Sequence, residues 1–125
     1  MYFQDEGIVE AEVEKDVRTS LRKIYFALSG GAPRNHWLAP KPMDAKLLDG
    51  LVDPQPFPDW MSERDLEVYV EAFKAGGFRG PLNRYRAQNL DFADLAGFVG
   101  KTLPQPSCFI GGERDMVRAM IPGMD

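Results

Sequence analysis

The stretch GIVEAEVEKDVRTSLRKIYFALSGG, residues 7–31, decides the fold class. Within it Val9, Val13, Val17, Leu21, Ile24, Tyr25 and Leu28 recur at steps of three and four, which lays one apolar stripe along a helix of about six turns. Asp5, Glu6, Glu10, Glu12 and Glu14 gather toward its start and Arg18, Arg22 and Lys23 nearer its end, the arrangement the helix dipole favours. Gly30 and Gly31 stop it.

Downstream, residues 31–61 hold six of the ten prolines, too many for a helix or an inner strand, so this is a long connection with at most one short helical turn from Asp44 to Leu51. Trp37, Phe57 and Trp60 indicate that parts of it pack. A second helix begins at Ser62, whose hydroxyl caps the turn with Asp65 three residues on, and it carries Leu66, Tyr69, Val70 and Phe73 on one face before Gly76 and Gly77 end it. Gly80 and Pro81 open a third helix with Leu82 and Tyr85 on a shared side. Residues 90–98 are helical again, with Phe92, Leu95 and Ala96 as the apolar set. Ser107-Cys108-Phe109-Ile110 reads instead as a strand, and its unalternating apolar centre suits a strand buried on both faces of a parallel sheet, with Cys108 as a small core side chain. It has no partner strand in this sequence, and a lone strand leaves its backbone donors and acceptors unpaired on both edges. The expectation is that the chain is part of something larger.

Composition narrows the function. The 125 residues are 44% hydrophobic and 27% charged, a globular balance rather than a disordered one. Fifteen Lys and Arg against nineteen Asp and Glu leave a net charge of −4, without the broad basic surface that nucleic acid requires. One cysteine, Cys108, and one histidine, His36, make neither an internal disulfide nor a thiolate metal cluster, and no metal or organic cofactor is expected. No apolar run approaches the roughly 20 residues of a membrane span, and the acidic N-terminal stretch lacks the basic and apolar regions of a signal peptide, so the expected location is cytoplasmic.

Three constellations carry the chemistry: Tyr2-Phe3-Gln4-Asp5-Glu6-Gly7, then Gly77-Phe78-Arg79-Gly80-Pro81-Leu82-Asn83-Arg84-Tyr85-Arg86, then Ile110-Gly111-Gly112-Glu113-Arg114-Asp115. In this order and spacing they resemble epoxide hydrolases of the α/β-hydrolase fold, over nearly the whole chain. The specific parts are Tyr-Phe-Gln followed by Glu10-Ala11-Glu12, and Gly-Phe-Arg-Gly-Pro-Leu-Asn before Tyr85; the strand-to-Asp115 motif is shared by many α/β-hydrolases. The resemblance implies a mainly α fold, the helical cap domain of an α/β-hydrolase with one strand of the parallel core sheet. The cap, with its Pro-rich connection, spans residues 1–88, and a partial core of helix, strand and acid loop spans residues 89–125. It also implies a small apolar epoxide as substrate. In the family a nucleophilic aspartate attacks an epoxide carbon while two cap tyrosines donate hydrogen bonds to the epoxide oxygen, and a histidine paired with a carboxylate activates water to hydrolyse the ester. On the matching motifs, the resemblance implies that Tyr2 and Tyr85 are the oxygen-binding pair and Asp115 the carboxylate that orients the histidine.

The departures matter as much. No Gly-x-Asp-x-Gly nucleophile turn and no preceding His-Gly motif occurs, His36 matches no catalytic motif, and Arg84 stands where the family commonly has tryptophan. The 125 residues are therefore expected to be inactive alone, and the unpaired strand offers an edge for self-association. Blander readings stand beside these. Tyr85 suits a packed core tyrosine, Asp115 a turn residue, His36-Trp37 a loop surface, and Arg79, Arg84 and Arg86 salt bridges to the acidic first helix. Two alternative functions remain: a haloalkane or haloacid dehalogenase, which needs halide-binding donors such as tryptophan in place of the tyrosine pair, and a non-catalytic helical module binding a small apolar ligand or a partner chain.

Overall fold

A computed structural model describes residues 4–33 and 36–120. The described residues form six α-helices: α1 (Ile8–Val13), α2 (Val17–Leu28), α3 (Glu63–Gly76), α4 (Arg79–Arg86), α5 (Gln88–Asp94) and α6 (Met116–Met120). The fold is mainly α.

The first expected helix is two. A 3-10 turn at Glu14–Asp16 separates α1 from α2, and Asp16 leaves helical geometry (φ −145°, ψ 87°) so that its carboxylate accepts the Thr19 N–H at 3.0 Å and caps α2. The buried Ser20 hydroxyl donates to the Val13 carbonyl at 2.9 Å, satisfying an acceptor that the break would strand. The apolar stripe survives the break because Val9, Val13, Val17 and Leu21 still point to one side. They pack on α3, which buries Leu66 and Val70 completely, and on Phe78 and Leu82 of the α4 region. At about 1.5–3 kcal/mol for each fully buried aliphatic side chain, this cluster drives α2 onto α3. Tyr25 meets Tyr69 edge to face across the same interface, with centroids 5.4 Å apart, and Phe73 stacks on Phe78 at 4.4 Å. Arg18 bridges from α2 to Glu63 and Glu67 on the rim.

Helix α3 starts as its sequence indicates. The Asp65 N–H donates to Ser62 Oγ at 3.2 Å and the Ser62 N–H to Asp65 Oδ2 at 3.0 Å, a reciprocal capping box. It ends at Gly77, whose φ of 68° disfavours a side chain and whose missing Cβ leaves room for the Glu14 carboxylate 3.2 Å from where that atom would lie.

The Pro-rich connection is tied down at intervals. Glu12 accepts the N–H groups of Leu47 and Leu48 at 3.0 and 2.8 Å, His36 Nε2 accepts the Val52 N–H at 3.0 Å, and Arg22 makes a two-armed ion pair with Asp53. Leu51 is buried between these anchors, and Phe57 rests edge-on against Trp60. Residues 44–51 form hydrogen-bonded turns rather than the expected helical turn, since Lys46 and Leu47 give their N–H groups to the Asp49 and Glu12 carboxylates.

Beyond α4 the character changes. Every buried apolar residue among the described ones lies between Val9 and Leu82, whereas Leu90, Phe92, Leu95, Phe98 and Val99 are all exposed. The expected strand at Ser107–Ile110 is not formed, and no β-strand occurs among the described residues. Phe109 and Ile110 are exposed, as is Cys108, which is not a core side chain here. The physical reason is the one the sequence contains: a strand is defined by its ladder, and nothing in the described chain offers a partner edge.

Candidate active site

Of the three predicted site residues, Tyr2 lies outside the described residues. Gln4 and Asp5 of the first motif meet the end of the second. The Gln4 side-chain amide donates to the Tyr85 carbonyl at 3.4 Å, and Arg86 Nη2 donates to the Asp5 carbonyl at 3.3 Å. Segments some eighty residues apart in sequence are thus hydrogen-bonded together.

Tyr85 sits in the last turn of α4 and is 47% exposed, so it is not a packed core tyrosine. Leu82, one turn earlier, is buried, so the two residues do not share an environment as their spacing suggested. Helix α4 is held at both ends by acids of the first helical segment. At its start the Phe78 N–H donates to Glu14 Oε1 at 2.9 Å, a negative charge at a helix N-terminus. At its end Arg86 makes a two-armed ion pair with Glu10, 2.7 Å from Nη1 to Oε1 and 3.1 Å from Nη2 to Oε2, with both side chains only 11% exposed. Glu10 also accepts the Gly7 N–H at 2.9 Å. The Arg86 hydrogen bond, working against the cost of burial, brings the Glu10 carboxyl down to about 2.

Arg79 and Arg86 make the salt bridges to the acidic first segment that one reading of the basic run expected, whereas Arg84 turns to α5 instead. Arg79 pairs with Glu6 at 2.9 Å, Arg86 with Glu10, and Arg84 with Asp91 of α5 at 2.8 Å. Sequence reasoning did not single out Glu10 and Glu14 as the acids that grip α4. The available signal was their four-residue spacing, which puts both carboxylates on one side, where they meet the two ends of α4. Glu12 lies about 200° round the helix from Glu10 and serves the other side, where it holds the Pro-rich connection.

Asp115 is held from the far end of the α1–α2 segment. Its neighbour Arg114 donates to the Gly30 carbonyl at 3.0 Å, just past α2. Asp115 Oδ1 accepts the Val117 N–H at 2.9 Å, and the Asp115 N–H donates to the Gly112 carbonyl at 3.1 Å, the geometry of a turn residue that opens α6. The carboxylate is exposed and lines an open concavity of about 520 Å³ together with Leu28, Gly30, Gly112, Arg114, Met116 and Val117. His36 belongs to neither group; its ring pins the connection at Val52. No cluster of His, Cys, Asp and Glu among the described residues is arranged to hold a metal ion, and no helix is long and apolar enough to cross a membrane.

A mainly helical fold with this motif order is that of an α/β-hydrolase cap, and the comparisons with known proteins agree. No family profile matches the chain. It is 34% identical over 120 residues to epoxide hydrolase A of Mycobacterium tuberculosis, covering 94% of this chain and 37% of that protein. To epoxide hydrolase B of the same organism it is 43% identical over 137 residues, covering 92% and 38%. Among solved structures, an epoxide hydrolase from an endophytic Streptomyces superposes with a TM-score of 0.87 at 42% identity, over 95% of this chain and 37% of the other. Epoxide hydrolase A from Mycobacterium thermoresistibile gives 0.72 at 30% identity, over 84% and 33%. The chain belongs to the epoxide hydrolases of the α/β-hydrolase family. It spans a little over a third of the length of the curated relatives it matches.

Proposed function

We propose that these residues form the substrate-binding cap, and the acid loop, of an enzyme that converts small apolar epoxides to vicinal diols. The observation that supports this reading is the hydrogen bonding of Gln4 and Asp5, from the first motif, to the Tyr85–Arg86 end of the second. In the reaction, a carboxylate attacks one epoxide carbon and the C–O bond breaks. The oxygen takes up negative charge as it leaves, and the phenols of Tyr2 and Tyr85 donate to it and supply its proton. Water, activated by a histidine that Asp115 orients, then hydrolyses the ester and frees the diol. The exposure of Tyr85 and of the Asp115 carboxylate suits groups that face a substrate or a second catalytic element rather than a core. The nucleophile and the histidine have no matching motif in these 125 residues, so the chain by itself is inactive under this proposal.

A chimera tests it: residues 1–125 replace the matched segment of the Streptomyces epoxide hydrolase, and the product is offered an apolar epoxide and a haloalkane in parallel. Diol formation without halide release is the expected result, with no turnover by the 125-residue chain alone. Halide release without diol would favour the dehalogenase reading. A folded chimera with neither activity would favour a non-catalytic binding module.

A further inference from the structure

Helix α4 is eight residues long, and its only buried side chain is Leu82. A helix this short is marginal by itself, and its two apolar anchors, Phe78 at the N-cap and Leu82 in the first half, leave the direction of its last turn to polar contacts. Yet Tyr85, in that last turn and half exposed, has to be aimed to within a fraction of an ångström if it is to donate to a reacting oxygen. Among the described residues, the two-armed Glu10–Arg86 pair, the Arg86 bond to the Asp5 carbonyl and the Gln4 bond to the Tyr85 carbonyl converge beside it. Of these, only the ion pair is shielded from water, and Glu10 is itself fixed by the Gly7 N–H. Glu14, four residues on, meets the other end of the same helix through the Phe78 N–H.

We propose that the Glu10–Arg86 pair is the positioning clamp for Tyr85: it fixes the last turn of α4 against the start of α1 and so sets where the phenol is presented. The role of the phenol rests on the function proposed above; the clamp itself rests on the geometry. Arg86 can do this where a lysine cannot, because its fork binds the carboxylate with two nitrogens and reaches the Asp5 carbonyl at the same time. Removal of the Glu10 charge leaves α4 tied at its start by Glu14 and takes from its end the tie that is shielded from water.

The test uses the 125-residue chain with 3-fluorotyrosine at all four tyrosines, each 19F resonance assigned by a Tyr→Phe change. Tyr25 and Tyr69, stacked across α2 and α3, report the rest of the fold. In Glu10→Gln the Tyr85 resonance is expected to shift and broaden while those of Tyr25 and Tyr69 stay in place. Arg86→Lys, which keeps the charge and loses the fork, is expected to give a smaller change of the same kind, and it decides the matter if Glu10→Gln moves all the resonances by unfolding. An unchanged Tyr85 resonance in a folded variant would overturn the clamp. The second arm is the chimera, where Glu10→Gln is expected to lower kcat roughly tenfold with KM within about twofold. Unaltered kcat beside a shifted Tyr85 resonance would overturn the positioning role. A chimera indifferent to Tyr85→Phe would instead sink the functional reading of the phenol, whatever the resonances show.

Discussion

Single residues do two kinds of work in this chain, and Glu10 and Glu12 show the division. Two positions apart on α1, they face opposite sides, one gripping α4 and the other the Pro-rich connection. The Glu10 carboxyl, held at about 2 by Arg86, differs from its unperturbed value of 4.5, and the sign of the pH dependence follows. A native value below the unfolded one means stability that is fully present above about 4.5 and is lost as pH falls toward and through 2. Urea midpoints measured from pH 7 to pH 2 should therefore show the native chain above Glu10→Gln at neutral pH and the two curves converging at the acid end. A gap that widens on acidification would contradict the assignment. Tyr85 and Asp115 were legible as candidates only through their flanking motifs. The residues that tie down the segments around them, Glu10, Glu14 and Arg114, were not, because a carboxylate or guanidinium reads the same in sequence whether it meets solvent, an opposite charge or a distant backbone group.

At the scale of elements, the strongest local signals were readable: the Ser62–Asp65 cap, the apolar face of α3 and the stop at Gly77 all appear where the residues place them. The break between α1 and α2 was not readable. The apolar stripe runs through it unchanged, and an Asp at position 16 serves equally as a surface residue or as a cap. What selects the cap is tertiary, since the turn also delivers Glu14 to the Phe78 N–H and Ser20 to the Val13 carbonyl. Asp16→Ala should cost about 1 kcal/mol, the usual loss for an N-cap, by chemical denaturation. Leu66→Ala, in the centre of the α2–α3 interface, should cost about 2–5 kcal/mol. An Asp16 loss as large as that of Leu66 would mean that the turn, and not the apolar cluster, holds the fold.

Across the whole molecule, burial stops at Leu82, and the apolar side chains of residues 90–110 face outward. The sequence pattern marked those residues as apolar faces but could not say that nothing in the described chain covers them, because a pattern specifies a face and not its partner. An exposed run of this size is a place for association. Light scattering under reducing conditions, which remove any disulfide through the exposed Cys108, should find the isolated chain self-associating at micromolar concentration. Phe109→Ser with Ile110→Ser should shift it toward monomer. A parent chain monomeric throughout that range would contradict the expectation.

Under the proposed function this helical assembly presents Tyr85 to an epoxide oxygen. The most direct test is kcat/KM for epoxide opening by the Streptomyces chimera with and without Tyr85→Phe, with Tyr69→Phe as the control. Loss of one donor to a developing oxyanion predicts a fall of roughly 10²-fold for Tyr85→Phe and little change for Tyr69→Phe. Equal rates for the Tyr85→Phe chimera and its parent would contradict the account.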